Sequence, residues 1–153
     1  MRYRLLCVGK VREPYVAAAV DDFARRLRRY EPLEIAEVAA SRASDPERAV
    51  REETEAIVRR IDPGDVVWLL EREGTQMSSL DLARRLGALA NEGTQRLVLV
   101  VAGTFGAGSA LAERANLRWS LSALTFLHEW ARALVLEQLY RAAKIARNEP
   151  YHH

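Results

Sequence analysis

The sequence predicts an α/β fold, a mostly parallel sheet of five to six strands flanked by helices. Two observations carry this. Short apolar runs alternate with segments of helical periodicity along the chain, the order that gives parallel strands joined by right-handed crossovers. Two of the runs, residues 66–70 and 97–102, are apolar without alternation and too short for helices, as strands covered on both faces are.

Taken in order, residues 4–8 read as a buried strand, with Gly9 supplying the turn. Pro14 sits where a first helical residue is tolerated, and Val16, Ala19, Val20, Phe23, Leu27 and Tyr30 follow at helical spacing. Arg25, Arg26, Arg28 and Arg29 crowd that helix's end. Two readings stand for them, complements to the helix dipole or an RNA-facing patch. Residues 33–38 form the second strand. Ser44, Pro46 and Glu47 then make a helix start of capping-box type, with Val50, Ile57, Val58 and Ile61 facing inward, and Asp62, Pro63 and Gly64 stop it.

The run 66–70 leads into a charged loop, residues 71–77, at a strand's C-terminal end, the edge where open parallel sheets bind ligands. Ser78 with Asp81 caps a third helix, with Leu82, Leu86 and Leu89 inward and Gly93 at its end. Residues 97–102 are the most apolar strand and belong at the sheet centre. A short helix over 109–115 and a short strand near 119–121 precede the last helix, residues 128–147. That helix is apolar on nearly all sides, which predicts burial all round, as core and as a contact with a second subunit.

At 153 residues, 49% hydrophobic and 29% charged, the chain reads as one globular domain with a real core. No apolar run approaches the ~20 residues of a membrane span, and no signal-peptide core opens the chain, so the expected compartment is the cytoplasm, with no membrane partner. The one cysteine, Cys7, lies in an apolar run and reads as a buried thiol. Net charge is only +2, yet 21 of the 23 cationic side chains are arginine. Arginine suits phosphate contact and base stacking, although genomic codon bias gives the same skew.

The residues that could carry chemistry lie late in the chain. Gly103, Gly106 and Gly108 sit between a strand and a helix, either as a plain turn or as a place where backbone approaches a nucleotide. The spacing is not G-x-G-x-x-G, which argues against a dinucleotide-binding enzyme. His128 and Arg132 share one helix face. Glu137 and Arg141 form a second i,i+4 pair on the opposite side, and an ordinary ion pair accounts for them. Three histidines without Cys or carboxylate spacing make no metal site.

Several blocks in order, VGK at 8–10, FARRLRRY at 23–30, LEREGTQMSS at 70–79, AGTFG at 102–106, SLSALTFLH at 120–128, EQLYRAAKI at 137–145 and PYH at 150–152, resemble those of the SPOUT-class ribosomal large-subunit methyltransferase H family. The resemblance implies a SPOUT-type, Rossmann-like fold with a C-terminal trefoil knot. It implies S-adenosylmethionine held by Leu70, Gly103, Ser122, Ala123, Leu124, Thr125, Phe126 and Leu127. The implied reaction is methylation of N3 of a pseudouridine in helix 69 of 23S rRNA, on the assembled 70S ribosome, by a homodimer. His128 and His152 are then candidate bases for the imide proton, and Arg132, Tyr140, Arg141 and Tyr151 candidates for orienting base and phosphate. Two positions depart from the family pattern: Ala102 replaces a common glycine, and Leu127-His128-Glu129 replaces Pro-His-Gln. The competing readings are a non-catalytic RNA- or ribosome-binding dimer and a methyltransferase acting on another RNA such as tRNA.

Overall fold

The computed structural model describes residues 1–150. The strands are β1 (Arg2–Val8), β2 (Leu33–Val38), β3 (Val66–Thr75), β4 (Arg96–Val101) and β5 (Leu117–Trp119). The helices are α1 (Pro14–Leu27), α2 (Pro46–Val58), α3 (Ser79–Asn91), α4 (Ser109–Arg114) and α5 (His128–Ala146). The strands form a five-stranded sheet in the order β2-β1-β4-β3-β5, every pairing parallel. β4 is central, as its unbroken apolar run predicts.

Period-two alternation sorts side chains onto two faces. Leu5, Cys7, Leu97 and Leu99 meet α1, α3 and α5 on one face; Leu6, Val8, Val98 and Val100 meet α2 and α4 on the other. Each such residue, removed from water, contributes roughly 1.5–3 kcal/mol. Cys7 is buried in the first layer, and desolvation pushes its thiol up to about 12. α1 opens on Pro14 and ends at Leu27, so Tyr30 lies beyond it. Asp22 takes up Arg25 and Arg26 there, at 2.5 and 2.7 Å. α3 is capped by the Ser78 hydroxyl, which accepts from the Asp81 amide, and Gly93 follows its C-cap with φ +85°.

Four expectations are corrected. α2 is capped by Asp45, not Ser44: the Asp45 carboxylate accepts from the Arg48 amide at 2.9 Å. Its inward line is Ala49, Glu53 and Ile57, with Val50 only half-buried, so a carboxylate stands on the packed face. The charged stretch after Leu70 is no loop. β3 runs on to Thr75, and its register with β5 shifts so that both Leu70 and Thr75 lie opposite Trp119. β5 itself sits two residues earlier than 119–121, and its last residue, Trp119, packs edge-on against Trp68 at 5.8 Å. Gly74 is what lets the β3 extension lie on β5, since a Cβ there would be 2.5 Å from the Arg118 carbonyl oxygen.

α5 lies against both α1 and α3 on the sheet, and much of its all-round apolar surface is covered within one chain. Its first turns are tied to the loop after β1. The Glu129 carboxylate accepts from the amides of Arg12 at 3.0 Å and Glu13 at 3.4 Å, and the Arg132 guanidinium reaches past it to the β1 end. At the far end Asn148, with φ +53°, closes the helix, and Glu149 accepts from Tyr30 at 2.8 Å and from Lys144.

Gly74→Ala should destabilise the fold by about 1–3 kcal/mol in a urea titration, through overpacking of backbone on backbone; an unchanged midpoint would contradict this contact. Glu129 gives a pH-dependent prediction. The Arg12 amide, against burial and aided by Glu13, holds its carboxyl below the usual carboxylate range. A depressed native pKa stabilises above the unfolded value of about 4.3 and is lost as pH falls through the native value. Glu129→Gln should therefore cost about 1 kcal/mol at pH 7, with the gap in melting temperature closing at acid pH.

Candidate active site

The C-terminal ends of β1, β4, β3 and β5 lie side by side, and most of the residues singled out in the sequence gather there. Leu70 pairs with Trp119 across β3 and β5, so the loop 120–127 leaves the sheet beside it. Gly103 follows β4, the next strand. It opens a tight turn in which the Gly106 amide donates to the Gly103 carbonyl at 3.0 Å, with Gly106 at φ +86°. That conformation requires glycine. At Gly103 a Cβ would press on the end of the Glu53 side chain, so glycine leaves that carboxylate its place.

The loop 120–127 is held at its ends and open in its middle. The Ser120 amide donates to the Thr75 carbonyl at 3.0 Å, the Ser120 hydroxyl to the Ser122 carbonyl at 3.0 Å, and the Leu124 amide to the Ser122 hydroxyl at 3.1 Å. Among the described residues, the amides of Ala123, Thr125 and Phe126 have no partner. The Arg72 guanidinium reaches the Thr125 hydroxyl at 3.4 Å. Leu124 is 71% and Leu127 53% exposed, an apolar surface beside free backbone donors. Such a loop suits a flat heteroaromatic ring with acceptors on its edge, which is what an adenosyl cofactor brings.

Both departures from the family pattern are tolerated. Ala102 does not have a positive φ, so its Cβ is unstrained. Leu127 precedes α5 with φ −55° and ψ 127°, the backbone a proline would fix.

His128 is the first residue of α5 and lines a cleft of about 190 Å³ with Gly103, Thr104, Lys10 and Glu53. Arg132, one turn on, does not enter the cleft. Its guanidinium is 1% exposed and donates to the carbonyls of Val8 at 2.6 Å and Gly9 at 2.9 Å and to Glu37 at 2.9 Å. Its bonds to two carbonyls and a carboxylate within the chain fix the helix that carries His128, so the expected part in orienting a base or phosphate would run through that helix.

Tyr140 and Arg141 lie elsewhere. They are 12 and 13 residues along α5 from His128, about 18 Å at helical rise. Tyr140 stacks at a tilt on Tyr30, 5.8 Å between centroids, and Arg141 pairs with Glu137 at 2.5 Å, as the i,i+4 spacing predicts. Tyr151 and His152 lie outside the described residues. The residue before them, Pro150, follows Glu149, which is anchored to Tyr30 near the start of β2, at the opposite end of the sheet from His128.

Sequence reasoning missed Glu53, Glu37 and Glu129. The signal for Glu53 was present, since it stands four residues from both Ala49 and Ile57 on the buried line of α2. A groove of about 510 Å³ between α3 and α5 is larger than the cleft, but Leu80, Ala83, Arg84, Ile145 and Ala146 line it and supply no carboxylate or imidazole. Among the described residues no cluster of His, Cys, Asp or Glu could hold a metal, and no helix is long and apolar enough to cross a membrane.

The geometry agrees with what the chain is similar to. A family model described as "Predicted SPOUT methyltransferase" matches residues 1–152. A protein of Pelobacter propionicus named ribosomal RNA large subunit methyltransferase H is 45% identical over 153 residues, covering all of both chains. Proteins of the same name from Gloeobacter violaceus, 41% identical over all of this chain and 99% of the relative, and Moorella thermoacetica, 38% identical over 97% and 96%, match similarly. With a match that runs the length of the chain and an all-parallel sheet whose strand ends gather the signature loops, the chain belongs to the SPOUT methyltransferase family, in its ribosomal RNA large subunit methyltransferase H group.

Proposed function

We propose that this chain methylates N3 of a pseudouridine in helix 69 of 23S rRNA on the assembled 70S ribosome, in the cytoplasm, as a homodimer with a C-terminal trefoil knot in a single domain spanning residues 1–153. The observation that carries the reading is the meeting of Gly103, His128 and the open loop 120–127 at the ends of adjacent strands, in a chain whose full-length relatives are named for this class of rRNA methylation. S-adenosylmethionine, when bound, supplies a methyl group activated on its sulfonium. Leu70, Gly103 and residues Ser122 to Leu127 hold it, through the free amides and the exposed apolar side chains of that loop.

The chain's own part is to position and to move a proton. Pseudouridine N3 is an imide nitrogen, and it becomes nucleophilic only as its proton leaves. Either His128, in the cleft wall, or His152, in the tail, accepts it. Arg132 keeps His128 in place through the β1 carbonyls. Tyr140, Arg141 and Tyr151 orient the base and its phosphate.

A second copy of the chain has support in the described residues. α5 is 19 residues long, about 28 Å, so Glu149, fastened to Tyr30, lies far from His128 of the same chain. Exposed Leu124, Leu127 and Trp130 at the cleft end give that copy an apolar surface to cover.

Transfer of labelled methyl from S-adenosylmethionine to intact ribosomes lacking the modification tests the reading, with separated subunits and bulk tRNA as parallel acceptors. Label in 23S rRNA of whole ribosomes is the expected result. Label confined to tRNA, or none despite bound cofactor, would contradict it.

A further inference from the structure

Glu53 is a carboxylate on the buried face of α2, 8% exposed, and it lines the cleft beside His128. One oxygen, Oε1, accepts from the Ser41 amide at 2.9 Å. The other, Oε2, faces the bare Cα of Gly103 and has no hydrogen-bond donor among the described residues. An acceptor left open to the cleft in this way is free to take a ligand's donor. Its neighbour Thr54 accepts from the Gly108 amide at 2.9 Å, so α2 backs the glycine turn at both ends and holds the carboxylate in place.

Lys10 and Arg12 line the same cleft, and among the described residues neither side chain makes an ion pair. The nearby Glu129 carboxylate is already engaged by two backbone amides. The cleft thus offers two cations without an ion pair and one carboxylate with a free oxygen around a small volume. The chemical group complementary to that set is a zwitterion, an ammonium and a carboxylate on one carbon.

Topology says which ligand carries it. β1 feeds α1 on one face of the sheet, β4 feeds α4 on the other, and β3 feeds α3 back on the first. Crevices therefore open on both sides of the β4 end, at topological switch points. The loop 120–127 leaves β5, past β3, and the Glu53 cleft sits at the β1 end, three strand spacings or about 14 Å across the sheet, with Gly103 between them. Resting on the cofactor reading above, we infer that Glu53 binds the α-ammonium of the methionine end of S-adenosylmethionine, with Lys10 and Arg12 facing its carboxylate. Glu53 is thereby a specificity-determining residue for the aminocarboxylate.

Calorimetric titration of the full chain with S-adenosylmethionine, S-adenosylhomocysteine and 5′-methylthioadenosine, which lacks the aminocarboxylate, tests this. Glu53→Gln keeps the shape and removes the charge. It should weaken the first two ligands at least tenfold and leave 5′-methylthioadenosine within twofold. Equal losses for all three would make Glu53 a brace for the turn only, and no loss would remove it from the site; either overturns the inference. Lys10→Met, exposed and harmless to folding, should show the same selective loss, and an indifferent Lys10→Met with an unfolded Glu53→Gln would also overturn it. If the unaltered chain binds none of the three ligands, the cofactor reading itself fails.

Discussion

The site depends on one buried cation. Arg132 is nearly closed to solvent, and its guanidinium joins α5 to the carbonyls that end β1 and to Glu37 on β2. Removing a guanidinium from water is costly, and the contacts offset that cost only because several donors are used at once. Its Nε lacks a partner, so the arrangement is not fully satisfied and is held by position. The consequence is geometric. The turn of α5 that carries His128 cannot shift along the sheet without breaking these bonds, and Glu129 adds a second tie to the same loop from the neighbouring position.

Around that fixed point the sheet supplies the rest. Parallel strands with helices on both faces bring every C-terminal end to one edge, and the central β4 places Gly103 between two crevices. There α2 sends a carboxylate against the turn, and glycine leaves it room. The buried charge on α2, an apparent defect in an apolar face, thereby becomes part of the cleft wall. The opposite end of the sheet serves a different purpose. Tyr30, Lys144 and Glu149 fasten the end of α5.

Much of this was legible in the sequence because its causes are local. Pro14, the Ser78–Asp81 cap, Gly93 and the apolar run of β4 each specify their element from within a few residues, and β2 has the bounds its pattern predicts. The signature loop 120–127 and Gly103 were legible as a motif and meet at the strand ends. What was not legible has non-local causes. Residues 71–75 are charged and look like a loop, yet they pair because Gly74 can lie on the Arg118 backbone, a contact no local pattern announces. Arg132 reads as a residue facing solvent or substrate until the β1 carbonyls are seen beneath it. Glu53 carried a readable helical position, but its chemistry misleads, since carboxylates usually mark the outer face.

In the homodimer proposed above, a complete site takes its cleft from one chain and its tail from another. The most direct measurement pairs two defective chains, Gly103→Trp, which blocks the turn at the cleft, and His152→Ala, which disarms the tail. Each alone should transfer almost no methyl to ribosomes. A purified mixed dimer should recover roughly half of the normal rate, because a two-fold assembly then holds one intact site of two. A mixed dimer as inactive as its parents would contradict the account and return the tail to its own chain.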